Sequence, residues 1–227
     1  MHLIHVTDRS AGGDCRDSVG GSPFLPAGAT VPRCRLCEQP MVLFFQFDVH
    51  EDFGVPFQAG SHFLAFMCPK HNDAAWLEEA YNDSPLPAEF WNGDSGHYAF
   101  LLYPPGVLQS DGQLDPYIAP YELEFSAATE AIEQDIGFAR GSTDAFKIGG
   151  LPGWLNYAPD KRCACGGQMT FLCQVPENFG FRKLPEAAEQ PDGFSSDEYG
   201  LLLGNMVFVL GCDRQCDPRA MIAICDN

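Results

Sequence analysis

Residues 20–46 of this chain, GGSPFLPAGATVPRCRLCEQPMVLFFQ, recur in outline at residues 149–174, GGLPGWLNYAPDKRCACGGQMTFLCQ. Each stretch starts with Gly-Gly-x-Pro, passes through a pair of cysteines, and continues from a methionine through an apolar run to a glutamine. Gly20 and Gly149 are 129 positions apart, and Gln46 and Gln174 are 128 apart. Self-similarity in a constant register is the sequence signature of a repeated structural unit. Chance recurrence of common turn residues is the alternative interpretation.

The similarity extends beyond these stretches. Residues 63–68, FLAFMC, and residues 206–212, MVFVLGC, are both apolar runs that end in cysteine. Their cysteines are 144 positions apart, so the second copy has gained about 16 residues, and the acidic, proline-rich residues 185–199 are the expected insertion. The two copies then span roughly residues 18–73 and 147–218.

The expected organisation is one compact duplicated domain. Residues 1–17 form an N-terminal segment, residues 18–146 the first repeat with a central segment, and residues 147–227 the second repeat. The Gly-Gly-x-Pro sequences should form turns, because glycine adopts positive φ and proline fixes its own φ.

The predicted fold class is α+β, mainly antiparallel sheet with a few short helices. Six segments rich in aromatic and aliphatic residues are bounded by Gly, Pro or Asp, as strands require. These segments are Met41–Asp48, Ser61–Cys68, His97–Tyr103, Tyr117–Phe125, Met169–Val175 and Leu201–Gly211. Two helices are expected, one capped by Asp73 over 74–81 and one capped by Ser126 over 127–136.

Composition limits the classes of partner. With 45% hydrophobic residues and 18 Phe in 227 residues, the chain can bury a core, which argues against global disorder. It has 13 Lys and Arg against 31 Asp and Glu, a net charge of −18. Binding to nucleic acid or to an anionic membrane needs clustered Lys and Arg, so neither is expected. An acidic surface instead favours a basic protein partner.

The cysteine content indicates metal binding in a reducing compartment. No apolar stretch reaches the roughly 18 residues of a membrane span. Residues 1–10 have neither a basic nor an apolar region of a secretory signal. We therefore expect a cytoplasmic protein, in which paired cysteines are more often metal ligands than disulfides.

The first copy contains four residues with the spacing of zinc ligands. Cys34-x2-Cys37 presents two thiolates from one turn, and Cys68-x2-His71 presents a second pair. Two such pairs complete a closed tetrahedron around a structural zinc ion. Because four protein ligands leave no open coordination position, the ion would stabilise the fold rather than activate water.

The second copy has a less regular set. Cys163-x-Cys165 is followed by Cys212-x3-Cys216, and Cys225 is a competing ligand. The sequence thus predicts up to two structural zinc ions. Buried free thiols, which behave as small hydrophobic residues, are the alternative.

Two other cysteines and two histidines are not expected to bind metal. Cys173 occupies the strand position of Phe45 and fits a buried free thiol, whereas Cys15 lies in a glycine-rich loop and looks exposed and unpaired. His50 and His62 are interpreted as ordinary loop or strand residues.

Three common catalytic motifs are missing from the sequence. The glycine-rich residues 12–21 contain no Gly-Lys-Ser/Thr and precede no clear helix, which excludes a phosphate-binding loop. There is no Gly-x-Ser-x-Gly and no His-Glu-x-x-His. Cys68 with His71 fits a nucleophile and its base, but the spacing is equally that of two ligands in one turn. We therefore expect a protein that is not an enzyme and has no catalytic or cofactor-binding residues apart from the metal ligands.

The repeated blocks resemble known families. Residues 147–155 (KIGGLPGWL), 166–175 (GGQMTFLCQV) and 208–212 (FVLGC), with the cysteine pair between the first two, resemble programmed-cell-death-protein-2-like proteins. Residues 20–26 (GGSPFLP) and 44–46 (FFQ) are similar to the bacterial YwqG-like family of unknown function. Both families are held to share a duplicated β-rich fold.

This resemblance implies binding rather than catalysis. The eukaryotic relatives are dedicated chaperones of a basic ribosomal protein, and YwqG-like members have been proposed as immunity proteins against toxins. The expected function is therefore a zinc-stabilised acidic module, chaperone-like or immunity-like, that binds a basic toxin or ribosomal-protein-like client. The compact size suggests a bacterial protein. A Cys/His-dependent enzyme of unknown substrate and an uncharacterised zinc-binding structural protein are the alternatives.

Aromatic residues often dominate protein interfaces. On this basis Trp76, Trp91, Trp154 and Tyr199 are candidate exposed anchors, with a core position as the alternative for Trp76 and the preferred interpretation for Trp154. The sequence does not predict the oligomeric state.

Overall fold

The computed structural model describes residues 1–75, 85–92, 96–110, 112, 115–128, 145–153 and 160–226. Its main feature is one ten-stranded sheet in which every neighbouring pair is antiparallel. The strands are β1 His2–Ser10, β2 Ser18–Val19, β3 Phe24–Pro26, β4 Val42–Asp48, β5 His62–Met67, β6 Tyr98–Tyr103, β7 Leu108–Ser110, β8 Tyr121–Ala127, β9 Lys147–Ile148, β10 Met169–Val175, β11 Gly180–Arg182, β12 Glu198–Gly200, β13 Met206–Cys212 and β14 Met221–Asp226.

The large sheet curls until its two ends meet. Its strand order is β14-β13-β10-β9-β1-β8-β2-β4-β5-β6, and the outermost strands β6 and β14 contact each other. Beside this seam the Leu102 amide donates to the Pro218 carbonyl over 2.8 Å. Two further pairs, β11 with β12 and β3 with β7, form separate small sheets. The molecule is thus a nearly closed, barrel-like antiparallel sheet.

The two halves of the sheet follow the same order outward from the centre. One half runs β8-β2-β4-β5-β6 and the other β1-β9-β10-β13-β14. Ser18 pairs with Gln46 as Lys147 pairs with Gln174. The register also shifts at matching places, between residues 43 and 45 in β4 and between residues 171 and 173 in β10.

The main core fills the space inside the curled sheet and is dominated by phenylalanines. Phe45, Phe47 and Phe63 are all fully buried. Their ring centroids lie 5.1–5.6 Å apart across β4 and β5, between residues 47 and 63 and between residues 45 and 63. Edge-to-face and tilted packing at such distances is favourable for aromatic pairs. The aromatic runs that predicted strands therefore also form the core.

Most predicted strands are found within one or two residues of their expected ends, and two are displaced. The strand predicted from Tyr117 begins at Tyr121, just after Pro120, which has no amide hydrogen for the sheet. The strand predicted from Leu201 begins at Met206 instead. There Leu202 and Leu203 have φ of 49° and 62°, two consecutive left-handed residues that lie outside the β region and interrupt a strand.

Helix is almost missing from the described residues, so the helical part of the α+β class is not supported there. The helical segments described are short 3₁₀ turns, Glu51–Phe53, Phe90–Asn92 and Leu202–Gly204. Ser126, the expected helix cap, lies inside β8 and pairs with Leu3. Most of the helix expected after it, and residues 76–81 of the other, lie outside the described residues. Within the described part, no helix is long and apolar enough to span a bilayer.

Candidate metal centres

The first candidate centre brings together the four residues predicted from the first copy. Cys34 and Cys37 precede β4, whereas Cys68 and His71 follow β5. Because β4 and β5 are antiparallel neighbours, the start of one lies beside the end of the other. The four ligand atoms all lie within 4.8 Å of one another.

Distances within this group match those around a tetrahedral ion. The Sγ atoms of Cys37 and Cys68 are 3.6 Å apart, and His71 Nδ1 lies 3.4 Å from the Cys68 Sγ. The same nitrogen lies 3.5 Å from the Cys34 Sγ. A zinc–sulfur bond of about 2.3 Å implies sulfur–sulfur separations of about 3.8 Å in a regular tetrahedron. The group therefore needs only a small adjustment to coordinate one ion.

The second candidate centre repeats this arrangement on the other half of the sheet. Cys163 and Cys165 precede β10, Cys212 ends β13, and Cys216 follows it. The Sγ atoms of Cys163 and Cys216 are 3.5 Å apart, and those of Cys165 and Cys212 are 3.4 Å apart. All four sulfur atoms lie within 4.8 Å of one another, so this group can also hold a metal ion.

The irregular Cys-x-Cys spacing is accommodated by a shorter turn. The amide of Cys34 donates to the carbonyl of Gln39, whereas the amide of Cys163 donates to the carbonyl of Gly167. The second loop thus closes with one residue fewer. Gly167 makes this possible, because a Cβ atom there would lie 2.8 Å from the Cys212 Sγ.

Backbone amides point at the ligand sulfurs in both centres. The Lys70 nitrogen lies 3.4 Å from the Cys68 Sγ, and the Gly167 nitrogen lies 3.4 Å from the Cys165 Sγ. Such outer hydrogen bonds stabilise the thiolate and orient it toward the ion. In each case the amide belongs to the second residue after the cysteine.

The environment of the sulfurs divides each centre into a buried and an accessible pair. Cys34 and Cys68 belong to one apolar cluster, and Cys163 and Cys212 belong to another. The other two ligands of the first centre, Cys37 and His71, are half-buried. Those of the second, Cys165 and Cys216, are exposed. The first centre is thus better shielded from solvent than the second.

The acidity of the thiols does not follow this division, because burial of the sulfur also raises the pKa of Cys216, one of the exposed cysteines. Burial raises the pKa of Cys68 to about 12 and that of Cys163 to about 11. A hydrogen bond from the Gly167 amide lowers the pKa of Cys165 to about 7. Because metal coordination requires thiolates, binding of an ion must release protons and must weaken as the pH falls.

The remaining cysteines lie elsewhere. Cys225, the competing ligand, is outside both groups, and its Sγ accepts a hydrogen bond from the Ala75 amide over 3.2 Å. Cys173 is fully buried in β10, pairing with Ile148 as Phe45 pairs with Val19. This arrangement agrees with the buried thiol expected at that position.

Cys15 and Tyr199, one of the four proposed aromatic anchors, differ from expectation. Cys15 is half-buried rather than exposed, and its Sγ lies 3.2 Å from the Asp17 carbonyl.

Tyr199 is only 1% exposed, so it is not a surface anchor, and its hydroxyl donates to the Ala188 carbonyl. Trp91 is half-buried beneath the Arg219 guanidinium. Trp76 and Trp154 lie outside the described residues.

Sequence reasoning missed a buried polar network around His62. The His62 ring has no exposed side-chain surface, and its Nδ1 lies 2.9 Å from Asp48 Oδ1. Its Nε2 lies 3.1 Å from Gln46 Oε1. Arg16 donates two hydrogen bonds to the Asp48 carboxylate. The partners are scattered along the chain, so no local motif marks the network.

A scan against models of protein families finds no match, and a search of curated proteins finds none either.

Proposed function

We propose that this chain is a non-enzymatic module, held together by two structural zinc ions, that binds a basic protein. The observation that carries the metal part is the pairing of two complete four-ligand groups at equivalent places in the sheet. Cys₃His and Cys₄ sets with tetrahedral spacing favour zinc. An iron–thiolate centre is the competing choice for the all-cysteine set.

A structural role follows from the number of ligands. Each group supplies four protein atoms, which fill the coordination shell of zinc and leave no position for a substrate or a water. Cys68 and His71, the pair suited to nucleophilic catalysis, both belong to the first group. Their use as ligands argues against an enzyme built on them.

The halves of the sheet support an origin by internal duplication. Gln46 and Gln174 each fold back to bond the segment after the double-glycine turn, at the amides of Phe24 and Gly153. Gly20 and Gly149 donate to the carbonyls of residues 44 and 172, which are again 128 positions apart. We infer that the YwqG-like and programmed-cell-death-protein-2-like resemblance reflects this repeated unit.

The negative charge of the chain supports a basic protein as its partner. A net charge of −18 over 227 residues gives a long-range attraction for basic proteins and repels phosphate backbones. Partners of this kind include toxins and ribosomal-protein-like clients, and a cytoplasmic location would suit both.

The partner class is tested by salt-dependent binding. The tagged chain is used to capture proteins at low salt, and each captured protein is then purified. Its affinity is measured by titration between 50 and 500 mM NaCl, a range over which the Debye length falls about threefold. We expect a partner of high isoelectric point whose Kd rises steeply with salt. A neutral or acidic partner, or an affinity independent of salt, would contradict the proposal.

The enzyme alternative has its own outcome. If the chain were a Cys/His enzyme, a metabolite screen would give turnover that the Cys68→Ala variant loses while still folded. Neighbouring genes that encode toxins would favour the immunity role, whereas a chaperone role predicts a ribosomal-protein-like client.

A further inference from the structure

A small cleft opens between the two central strands of the sheet and the β11–β12 hairpin. Its volume is about 180 Å³. The lining residues are Val6, Thr7, Asp8, Val19, Tyr121, Phe179, Gly180, Phe181, Arg182 and Glu198. Ligand pockets for cofactors and drug-sized molecules are usually about 300–1,000 Å³. This cleft is therefore sized for a single side chain rather than for a cofactor.

The inner part of the cleft is apolar and aromatic. Val19 and Phe181 are each 1% exposed, and the ring of Phe179 packs on that of Phe181 at 5.0 Å between centroids. Val6 is 38% exposed, although Ile4 on the same face of β1 is buried. The apolar surface of the sheet interior therefore reaches solvent at this point.

Two carboxylates stand at the rim. Asp8 lies where the register of β1 against β8 shifts, between Val6 and Ser10. The Glu198 carboxylate lies across Gly180, where its Oε2 would be 2.1 Å from a Cβ atom. Gly180 thus leaves the space in which this carboxylate sits. Among the described residues, no salt bridge joins Asp8 or Glu198 to a cationic side chain.

The wall of the cleft already holds a guanidinium group. The Arg182 guanidinium carbon lies 5.0 Å from the centre of the Tyr121 ring, and its Nη1 donates to the Tyr121 hydroxyl over 2.7 Å. Cation–π contact of this kind is favourable, especially for arginine. With Arg182 counted against Asp8 and Glu198, the lining carries one net negative charge.

From this chemistry we propose that the cleft receives one arginine or lysine side chain of the basic partner. The methylene stem would lie against Val6, Phe179 and Phe181, and the cationic end would pair with Asp8 and Glu198. Long cationic side chains commonly bury their stems on apolar surface and keep the charge near water. This inference rests on the proposed function, since it names the place at which the basic partner docks.

The test uses a neutral-flanked peptide, acetyl-Gly-Ser-Arg-Ser-Gly-amide, titrated into the full chain and followed by ¹H–¹⁵N NMR. The matched peptide carries citrulline, which keeps the shape of arginine without its charge. We expect the arginine peptide to shift the amides of Thr7, Asp8 and Phe181 most, and the citrulline peptide to bind at least about fivefold more weakly, as two exposed ion pairs imply.

Paired variants then assign the carboxylates. Asp8→Asn/Glu198→Gln should raise the peptide Kd about fivefold, because both ion pairs are lost. Glu51→Gln/Glu186→Gln removes the same charge from exposed positions outside the lining and should leave the Kd within about twofold. Arg182→Gln should tighten binding, because it removes the competing cation.

The outcomes separate this proposal from the broader function. Shifts centred elsewhere, equal binding of the citrulline peptide, or an unchanged Kd in Asp8→Asn/Glu198→Gln would overturn the cleft as the docking site. Salt-dependent binding of a purified basic partner would stand in each of these cases. If no basic partner bound the chain in a salt-dependent way, the proposed function would be overturned, whatever the result with the peptide.

Discussion

Two hydrogen-bonded groups outweigh the effect of burial on the pKa of Asp48. Burial alone would raise the pKa of this carboxyl group, but hydrogen bonds from His62 and Arg16 lower the pKa to about 2. An unfolded aspartate has a pKa of about 3.9. The carboxylate therefore stabilises the fold above about pH 4, and this stabilisation is lost as the pH falls toward 2.

We predict that Asp48→Asn lowers the free energy of unfolding at pH 7 by about 2 kcal/mol, since one pKa unit is about 1.4 kcal/mol. The variant should also lose less stability than the wild type between pH 4 and 2. Urea unfolding at several pH values measures both effects. Glu186→Gln, at an exposed position, is the control and should follow the wild type. Identical acid sensitivity of Asp48→Asn and wild type would contradict this account.

The residue at position 167 must be glycine, because its neighbours lie too close for a side chain. A Cβ atom there would lie 2.6 Å from Asp213 Oδ1 and 2.8 Å from the Cys212 Sγ. We predict that Gly167→Ala weakens the second centre alone and lowers the bound metal from two ions to one in the presence of a competing chelator. Gly13→Ala, where a Cβ meets nothing within 4 Å, is the matched control. Retention of both ions by Gly167→Ala would show that the short turn is not required.

At this scale the sequence was informative where the chemistry is local. Cys34 and Cys37 lie in one turn, and so do Cys68 and His71, so spacing alone predicted each pair of ligands, whereas the pairing of β4 with β5 brings the two pairs together. The His62 network combines residues from three segments, Arg16, Asp48 and His62, and only the register of β4 on β5 brings the last two together. No spacing rule could have shown this.

At the scale of the elements, each double-glycine turn is held to its strand by one buried glutamine. Gln46 accepts from the Phe24 amide and donates to the Ser22 carbonyl, and it also contacts Ser18 and His62. Gln174 accepts from the Gly153 amide and donates to the Ala145 carbonyl. Loss of either side chain leaves buried backbone groups without their partners.

We predict that Gln46→Ala and Gln174→Ala each lower the free energy of unfolding by about 2 kcal/mol or more, with the larger loss for Gln46→Ala because it bonds more groups. Comparison of the two variants in urea unfolding is internally matched, since both glutamines are fully buried. If Gln174→Ala were neutral while Gln46→Ala was destabilising, the two turns would not be equivalent.

Element prediction worked for most of the continuous apolar runs but missed β1 and β14 among the longer strands. Residues 169–175 form β10 with the predicted ends. Strand β1 was not predicted, because polar residues interrupt both of its faces: His2 and Asp8 share a face with Ile4, and the other face carries Thr7 and Arg9. It nevertheless lies at the sheet centre, between β8 and β9. Strand β14 was also not predicted; it pairs with β13 at the edge of the order.

The two halves of the sheet differ in the length of one connection. Residues 176–205 connect β10 to β13, whereas residues 49–61 connect β4 to β5. The longer connection forms the β11–β12 hairpin, which covers the cleft. Residues 185–199, where an insertion was predicted, lie within this longer connection.

Across the whole molecule, the proposed zinc ions contribute to folding. A structural ion binds only the folded chain, so its binding free energy adds to stability. We predict that a chelator such as EDTA, at concentrations that remove both ions, lowers the midpoint of thermal unfolding, and that added zinc restores it. Cys173→Ser is the control, because it also removes a cysteine but lies outside both groups. It should respond to chelator as the wild type does. An unchanged midpoint after metal removal would contradict a structural role.

The central claim is that the chain holds two structural zinc ions, one in each half of the sheet. Native mass spectrometry of the purified chain, combined with elemental analysis, tests it most directly. The account predicts two zinc ions per chain, one of which is lost in Cys68→Ser and the other in Cys212→Ser. A chain that binds no zinc when folded, or that holds iron in place of zinc, would contradict it.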